Sequence, residues 1–576
     1  MNTPTHCDFL VVGSGAAGLA GAVTAAHLGL KTVVLEKENV LGGTTAWSGG
    51  WLWIPRNPLA RRAGIEEEAA EPLRYLQSLI GPEADSPAIR HFLETGPAML
   101  EFFEQHTAVQ FIDGNRIPDF HPVPGAAGGG RSVCAAAYDG RRLGDWLYKL
   151  RPPLDVISLR GMGIASGQDM KHFFSATRSL PSALYVLKRL GRHAFDLLRY
   201  RRSTQLVNGN ALVARLLRSA LDKNVAIHTG TRVTALLTDQ GRVVGVVAEQ
   251  DGRQQTLLAR KGVLLAGGGF PHDPRRQQQL FKPWQGRQHH SAAPGTNTGD
   301  NLYLAEKAGG TITSFEQPGA WSPVSRVPAP QGGYSHFPHL IERAKPGIIA
   351  VTPDGKRFVS EADAYHDFIK ALFATTPAGQ EPVCWLIADH RAQRRWGLGA
   401  ARPFPFPLGP YLRSGYLKRG ATLAELATAC DLPAATLEAT VARFNTDART
   451  GTDTEFRRGE SPYNRVQGDP DHAPNPSLAP LTRGPFYAVQ VVVGSLGTFA
   501  GISANAQAQV LNNKQQPIPG LFVAGNDMAS IFRGHYPSGG ITLGPAMTFG
   551  YVAAHTAAGA AAVDDPGPPD QAGPTD

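Results

Sequence analysis

Phe9-Leu-Val-Val, following Asp8, is an unalternated apolar run of strand length, the signature of a strand covered on both faces. Lys31-Thr-Val-Val-Leu repeats it, and the Ala-rich stretch between the two predicts a helix. Residues 225–236, Val243-Val-Gly-Val-Val and Lys261-Gly-Val-Leu-Leu predict further strands, with a turn at Asp239-Gln-Gly-Arg. Helical periodicity starts at Asn208-Gly-Asn-Ala-Leu, and Gly520-Leu-Phe-Val-Ala predicts a late strand. Residues 60–204 read as mostly helical, with Gly- and Pro-rich loops such as 122–130. The spacing of Thr422-Leu-Ala-Glu-Leu-Ala and Leu437-Glu-Ala-Thr-Val-Ala-Arg-Phe suits an amphipathic helix pair. Strands alternating with helical segments predict an α/β fold containing a parallel sheet.

The first strand ends in Gly13-Ser-Gly-Ala-Ala-Gly18, a GxGxxG turn leading into the helix. Gly13 permits a tight turn, Gly15 lets a pyrophosphate approach the backbone, and Gly18 allows close helix–strand packing. Ala16 and Ala17 begin the helix, whose N-terminal N–H groups suit phosphate. Glu36, at the end of the second strand, can accept ribose hydroxyls. A lone GxGxxG is weak; strand, helix, strand and acid in this order make a dinucleotide site the strong expectation.

At 576 residues the chain exceeds one ordinary core, so at least two domains are expected. Residues 1–296 and 482–563 carry the cofactor segments, with a helical insertion at about 60–204; residues 297–481 form an inserted α+β catalytic domain. The tail from Asp564 to Asp576, rich in Pro, Gly and Asp, predicts disorder. Four scattered cysteines without a CxxC pair fit a reducing, cytoplasmic setting, and no metal-ligand spacing occurs. The first residues lack a charged, then long apolar, signal pattern, and no run of about 18 apolar residues predicts a membrane span.

The net charge of +8 is concentrated in Lys188–Arg202. With Leu184, Leu187, Leu190, Phe195 and Leu198 this stretch reads either as a basic amphipathic helix for peripheral contact with anionic lipid, or as a solvated surface helix, the more ordinary case. Nucleic acid is not expected as a partner, because no binding-fold signature accompanies the charge.

The continuation Leu41-Gly-Gly-Thr-Thr-Ala-Trp-Ser-Gly-Gly resembles the FAD-dependent fumarate reductase and 3-ketosteroid dehydrogenase superfamily. The resemblance implies FAD, with Lys37, Gly42, Gly43, Thr44, Thr45, Ser48, Gly49 and Gly50 along it. It extends to Val233, whose backbone would pair with adenine, and to Ala266, Gly267 and Gly268. Asn297, Gly299 and Asp300 in a TGDG-like turn, then Gly525, Asn526, Gly540, Thr542 and Leu543, complete the implied contacts.

Within that superfamily, residues 524–551 resemble the ketosteroid dehydrogenase pattern AGN…YPxxGxTxGPAxTFGY. Where fumarate reductases grip a dicarboxylate with His and Arg, this chain has Arg533 and Pro537, so a bidentate carboxylate partner is lost. Counted from Arg357-Phe358 and Glu361, Tyr365 stands where a ketosteroid dehydrogenase has its base and a fumarate reductase its arginine; it is expected on a strand–loop edge. The resemblance implies α,β-dehydrogenation of a cyclic ketone. Tyr536 and the Gly540 N–H would polarise the carbonyl, Tyr365 would take the α-proton, and flavin N5 the hydride.

Two features keep the regiochemistry open. The second tyrosine of the Δ1-dehydrogenases is absent from Asp119-Phe120-His121-Pro122, where His121 is a candidate replacement. Ser538, in Tyr536-Pro-Ser, resembles the proton-transfer serine of the Δ4-(5α)-dehydrogenases. An ene-reductase running the same chemistry backwards is the third reading. The expected partner is a hydrophobic steroid or smaller cyclic ketone, with an unspecified electron acceptor.

Overall fold

The computed structural model describes residues 5–281, 288–329 and 332–559; the expected tail at 564–576 lies outside them. β1 (Thr5–Val12) feeds α1 (Ala16–His27), and β2 (Thr32–Glu36) returns parallel to β1. All of β1 from Cys7 to Val12 is buried apart from Asp8, as the unbroken apolar run requires. β3 (Trp51–Trp53), α2 (Ala70–Ile80), α3 (Pro87–His106), β4 (Phe111–Asp113) and β5 (Ser132–Ala135) follow, the strands forming a small sheet in the order β3-β5-β4. Next come α4 (Gln168–Ser175), α5 (Leu180–Tyr200) and α6 (Asn208–Asp222).

The single strand expected over 225–236 is two, β6 (Ala226–Thr229) and β7 (Thr231–Asp239), broken at Gly230 with φ +66°. β6 pairs parallel with β2, whereas β7 pairs antiparallel with β8 (Arg242–Gln250), so the chain must change course between them. β9 (Arg253–Leu265) pairs antiparallel with β8 and parallel with β1.

The second sheet contains β10 (Gly319–Pro328), β11 (Tyr334–Pro338), β12 (Ile348–Val351), β13 (Val383–Ala388) and β14 (Leu417–Gly420). α7 (Tyr365–Thr375) and α8 (Pro462–Gln467) are attached to it. Its spine is the long β15 (Phe486–Thr498), which pairs with β10, β13 and β14. The second sheet therefore draws on residues beyond 481, up to Thr498. The chain then returns to the first sheet through β16 (Gln509–Leu511) and β17 (Pro517–Val523), and the last described element is α9 (Leu543–Gly559).

The first sheet has the path β16-β17-β9-β1-β2-β6, parallel from β17 to β6. Strand order reverses between β1 and β9. In open α/β sheets the crevice at the carboxyl ends beside such a reversal is where ligands bind. Gly13 must be glycine there: its φ is +112°, and a Cβ would lie 2.3 Å from the Ala266 carbonyl oxygen. A Cβ on Gly18 would lie 2.0 Å from the Gly13 oxygen, so α1 is pressed onto the turn before it.

Candidate active site

A continuous cavity of about 1790 Å³ opens at the β1–β9 crevice and extends to residues of the inserted segments. A single drug-sized ligand needs roughly 300–1,000 Å³, so a cofactor and a second molecule both have room.

The crevice end is built from loops that hold one another. Ser14 donates from its N–H and hydroxyl to Glu36 Oε2 (3.1 and 2.6 Å), and its Oγ accepts from Gly42 N–H at 3.0 Å. Ala16 N–H donates to Thr45 Oγ1 (3.0 Å), and Asn297 Nδ2 to Thr44 Oγ1 (2.9 Å) and the Gly268 carbonyl (3.2 Å). Lys37 reaches Asp300 and Thr298, each at 3.2 Å. No side chain caps α1 at Gly15, and Gly15, Ala16 and Ala17 line the cavity, leaving the helix N-terminus toward it. The first-turn N–H groups left open after Ala16 bonds Thr45, beside glycines with short hydroxyl neighbours, fit a dinucleotide pyrophosphate. Burial raises the Glu36 pKa despite the hydrogen bonds it accepts from Glu38 and Ser14.

The sequence-expected cofactor residues lining this cavity include Gly13, Lys37, Gly43, Ser48, Gly49, Gly50, Val233, Ala266, Gly267, Gly299, Gly525, Asn526, Thr542 and Leu543. Gly18, Gly42 and Ser538 stand behind its wall. Gly18 packs on Gly13, and a Cβ on Gly42 would meet Val213 and Ala46. Ser538 is buried near Asp119 and is not among the residues that line the cavity.

Asp527 was not expected. Its carboxylate accepts from Gly267 N–H, Gly269 N–H (2.7 Å) and Asn301 Nδ2 (2.7 Å), fixing the second glycine loop beneath the cavity. An acid directly after Ala-Gly-Asn was the available signal. Among the described residues, no group of three or more His, Cys, Asp or Glu side chains could hold a metal ion.

Two phenols meet further along the cavity. The Tyr365 and Tyr536 rings lie 4.9 Å apart between centroids, at 77°. Phe120 stacks on Tyr536 (5.9 Å, 12°), stands edge-on to Tyr365 (5.6 Å) and lies 4.4 Å from Tyr463 of α8. All four residues line the cavity and all are buried. Nothing in the sequence near Pro462-Tyr-Asn marked Tyr463 as a neighbour.

Tyr365 is the first residue of α7, not part of a strand–loop edge. The reason is periodicity: Tyr365, Phe368, Ile369 and Leu372 form one buried helical stripe. The loop before it is anchored by charge. Arg357 makes paired hydrogen bonds to Glu361 (2.9 and 2.8 Å) and Asp453 (both 2.9 Å), and Arg458 donates to Glu361 at 2.9 Å. Arg343 donates to the backbone carbonyls of Glu361 (2.7 Å) and Asp363 (3.0 Å).

Tyr536 is held through its neighbour Pro537, whose carbonyl accepts from the Tyr75 hydroxyl (2.6 Å) and Phe120 N–H (3.1 Å). Gly540 has φ +105°; a Cβ there would lie 2.6 Å from Trp53 N, because β3 passes directly beneath and Trp53 N–H donates to the Gly540 carbonyl. Among the described residues the Gly540 N–H has no acceptor, and it precedes the N-terminus of α9 on the cavity wall.

His121 Nε2 lies 3.3 Å from the Tyr536 backbone oxygen and 3.5 Å from Asp367 Oδ2. It is Phe120 that stands among the phenols. Arg533 points outward to Glu83 (2.7 and 2.8 Å) and His535 contacts the Phe532 carbonyl (3.2 Å); neither lines the cavity.

Burial drives the phenols up: Tyr365 well above the ordinary value, with the adjacent Tyr536 and Tyr463 adding to the effect, and Tyr536 to about 12. The Arg343 guanidinium acts on Tyr365 in the opposite sense.

Residues 8–543 match the family described as FAD binding domain. A 4-oxocyclohex-2-ene-1-carboxylate 5-dehydrogenase of Sinomonas cyclohexanicum is 39% identical over 553 residues, covering 96% of this chain and 93% of the relative. A 3-oxosteroid 1-dehydrogenase of Mycolicibacterium smegmatis is 35% identical, covering 98% and 99%. The solved 3-ketosteroid delta1-dehydrogenase of Sterolibacterium denitrificans, in complex with 1,4-androstadiene-3,17-dione, superposes with TM-score 0.88 at 33% identity, covering 96% and 99%. The chain belongs to the FAD-binding-domain family, in the branch that contains the 3-ketosteroid dehydrogenases, and is an FAD-dependent oxidoreductase acting on CH–CH bonds.

Proposed function

We propose that the protein introduces a double bond next to the carbonyl of a cyclic ketone, a 3-oxosteroid with Δ1 regiochemistry being the first candidate. The observation that carries this reading is the pair Tyr365–Tyr536 beside the free Gly540 N–H, in the same cavity as the dinucleotide cradle.

The Tyr536 hydroxyl and the Gly540 N–H donate to the substrate carbonyl oxygen and stabilise negative charge as it gathers there. This acidifies the α-carbon, and Tyr365 Oη receives its proton. FAD bound along the glycine loops supplies the two-electron acceptor for the hydride leaving the β-carbon. The apolar neighbours Phe120, Phe337, Leu340 and Trp396 line the cavity and keep water from the ring. Placement of Ser538 behind the wall favours Δ1 over Δ4-(5α) chemistry.

One observation favours a second substrate shape. Lys345 lines the cavity, is buried, and donates only to the carbonyls of Gln467 and Gly468, both at 2.7 Å. No direct ion pair to Lys345 occurs among the described residues, although the Asp469 and Glu342 carboxylates act on it from nearby and favour its charged form. Burial lowers its pKa to about 8, and a carboxylated 4-oxocyclohexane would give it a counter-ion.

Anaerobic mixing with a panel of 3-oxosteroids and 4-oxocyclohexane carboxylates tests both readings. Loss of oxidised-flavin absorbance with formation of the enone is the expected result. A spectral shift without reduction identifies a binding protein. Reoxidation of the reduced enzyme by an enone, with no reduction by saturated ketones, identifies an ene-reductase.

A further inference from the structure

The arginines packed around the loop ahead of α7 are not equivalent. Arg357 meets the carboxylates of Glu361 and Asp453, and Arg458 that of Glu361. Arg343 is as deeply buried, at 1% exposure, yet makes no direct ion pair among the described residues. Its hydrogen bonds all go to backbone: Nε donates to the His339 carbonyl (2.7 Å), Nη1 to that of Glu361 (2.7 Å) and Nη2 to that of Asp363 (3.0 Å). Carbonyl dipoles replace the hydration of a guanidinium without cancelling its charge. The carboxylates nearby are engaged elsewhere. Glu361 is shared by Arg357 and Arg458, Glu342 is paired with His339, and Asp363 accepts from Asn464 Nδ2 at 3.0 Å.

That charge sits behind Tyr365. Two of the carbonyls it holds, those of Glu361 and Asp363, belong to the loop that leads into Tyr365, and its Cζ lies 5.0 Å from the Phe368 ring centre. Phe368 follows Tyr365 at i+3 on the buried face of α7, a spacing that makes side chains neighbours. The helix adds to the effect. Tyr365 is its first residue and no side chain caps that end, so the positive end of the helix dipole lies beside the phenol.

The groups packed on the phenol bring no charge of their own. Phe120 is apolar, burial raises the Tyr536 and Tyr463 phenols, and burial holds the adjoining His366 uncharged. Asp367, further along α7, is taken by His121 (3.5 Å) and Lys370 (3.7 Å). Cys384 of β13, near Arg343, stays a neutral thiol because burial raises it.

We propose that Arg343 is the charge that lets Tyr365 serve as a base. The inference rests on the reading of Tyr365 as the proton acceptor. The phenol first releases its own proton to water. The guanidinium and the helix end then stabilise the phenolate oxygen, which takes the α-proton and becomes a phenol again. Arg343 does not line the cavity and acts through Tyr365.

The test replaces Tyr365 with 3,5-difluorotyrosine in the FAD-loaded full chain. Fluorine makes the phenol more acidic, so that log kcat/KM both rises and levels within a pH range the fold tolerates. Arg343→Gln, which removes the charge and keeps donors, is expected to move the levelling point about one pH unit or more to the alkaline side. On the rising limb that is about tenfold in rate. Arg343→Lys, which keeps the charge, is expected to level at the native pH with a lower plateau. Arg343→Met repeats the neutral measurement if Arg343→Gln does not hold flavin. A purely structural role would lower the plateau of every variant and move no levelling point; that result overturns the proposal. A profile that stays flat with Arg343 in place removes Tyr365 as the base, and the proposal with it. A rising profile that the neutral variants leave in place removes the role of Arg343 alone.

Discussion

Tyr365 and Tyr536 come from opposite ends of the second half of the chain and meet edge-on, 4.9 Å between ring centroids. Tyr365 arrives on the first turn of α7, Tyr536 on a loop pinned by Tyr75 and Phe120. Neither ring can shift without disturbing the other or Phe120, which touches both.

Tyr365→Phe keeps the ring packing and removes the oxygen proposed to receive the α-proton. We expect kcat to fall about 10²–10⁴-fold, the range of a positioned acid–base group. Flavin stoichiometry, read from the absorbance spectrum, is expected to stay native. Turnover within threefold of native would remove Tyr365 from the proton transfer.

Gly540→Ala introduces a methyl 2.6 Å from Trp53 N and must displace the backbone at the cavity wall. Loss of one oxyanion donor costs about 10²–10³ in kcat. Measured by steady-state oxidation with an artificial acceptor, a variant with native kcat would show that this N–H does not engage the carbonyl.

The rate is expected to rise with pH. Burial favours the neutral phenol of Tyr365, so its pKa stands above the ordinary phenol value of about 10 and the phenolate is scarce at neutral pH. Below that pKa the phenolate fraction grows about tenfold per pH unit, so log kcat/KM is expected to climb with a slope near +1 from neutral to alkaline pH. Tyr365→Phe is expected to lose this slope. A native profile that is flat across the same interval would contradict a phenol base.

The charge network under Tyr365 is fully buried, so removing one member leaves its partners without counter-charge. Glu361→Ala is expected to cost about 3–5 kcal/mol in chemical denaturation. Glu361→Gln, which keeps part of the hydrogen bonding, is expected to lie between this variant and the native protein. Equal stability of all three would make the network energetically irrelevant.

The β1–α1–β2 unit and the 524–551 segment were legible because each is a local pattern: apolar runs, glycines at fixed offsets, an acid at the strand end. What escaped is long-range. Tyr365 was placed on a strand–loop edge because the motif around it was read by correspondence, while the helical stripe it begins runs C-terminal to that motif. Tyr463 comes to the phenols from α8, packing on Phe120. The same holds for α5. Its stripe was visible as spacing, but spacing cannot say which side of a helix the protein covers. That depends on whether polar partners such as the Gly163 and Arg160 carbonyls are waiting for the other stripe.

The glycine at 540, wedged on β3, divides the site into two parts with different freedom to vary. Position 540 admits no side chain, because an added Cβ collides with the main chain of Trp53 and Leu52. The far walls, contributed by residues 112–117, 154–177, 395–406 and 463–471, carry such a restriction at Gly114, Gly399 and Gly468 but consist mostly of residues with side chains. Redesign for larger or smaller rings therefore belongs in those walls: one mouthpiece can serve many bodies.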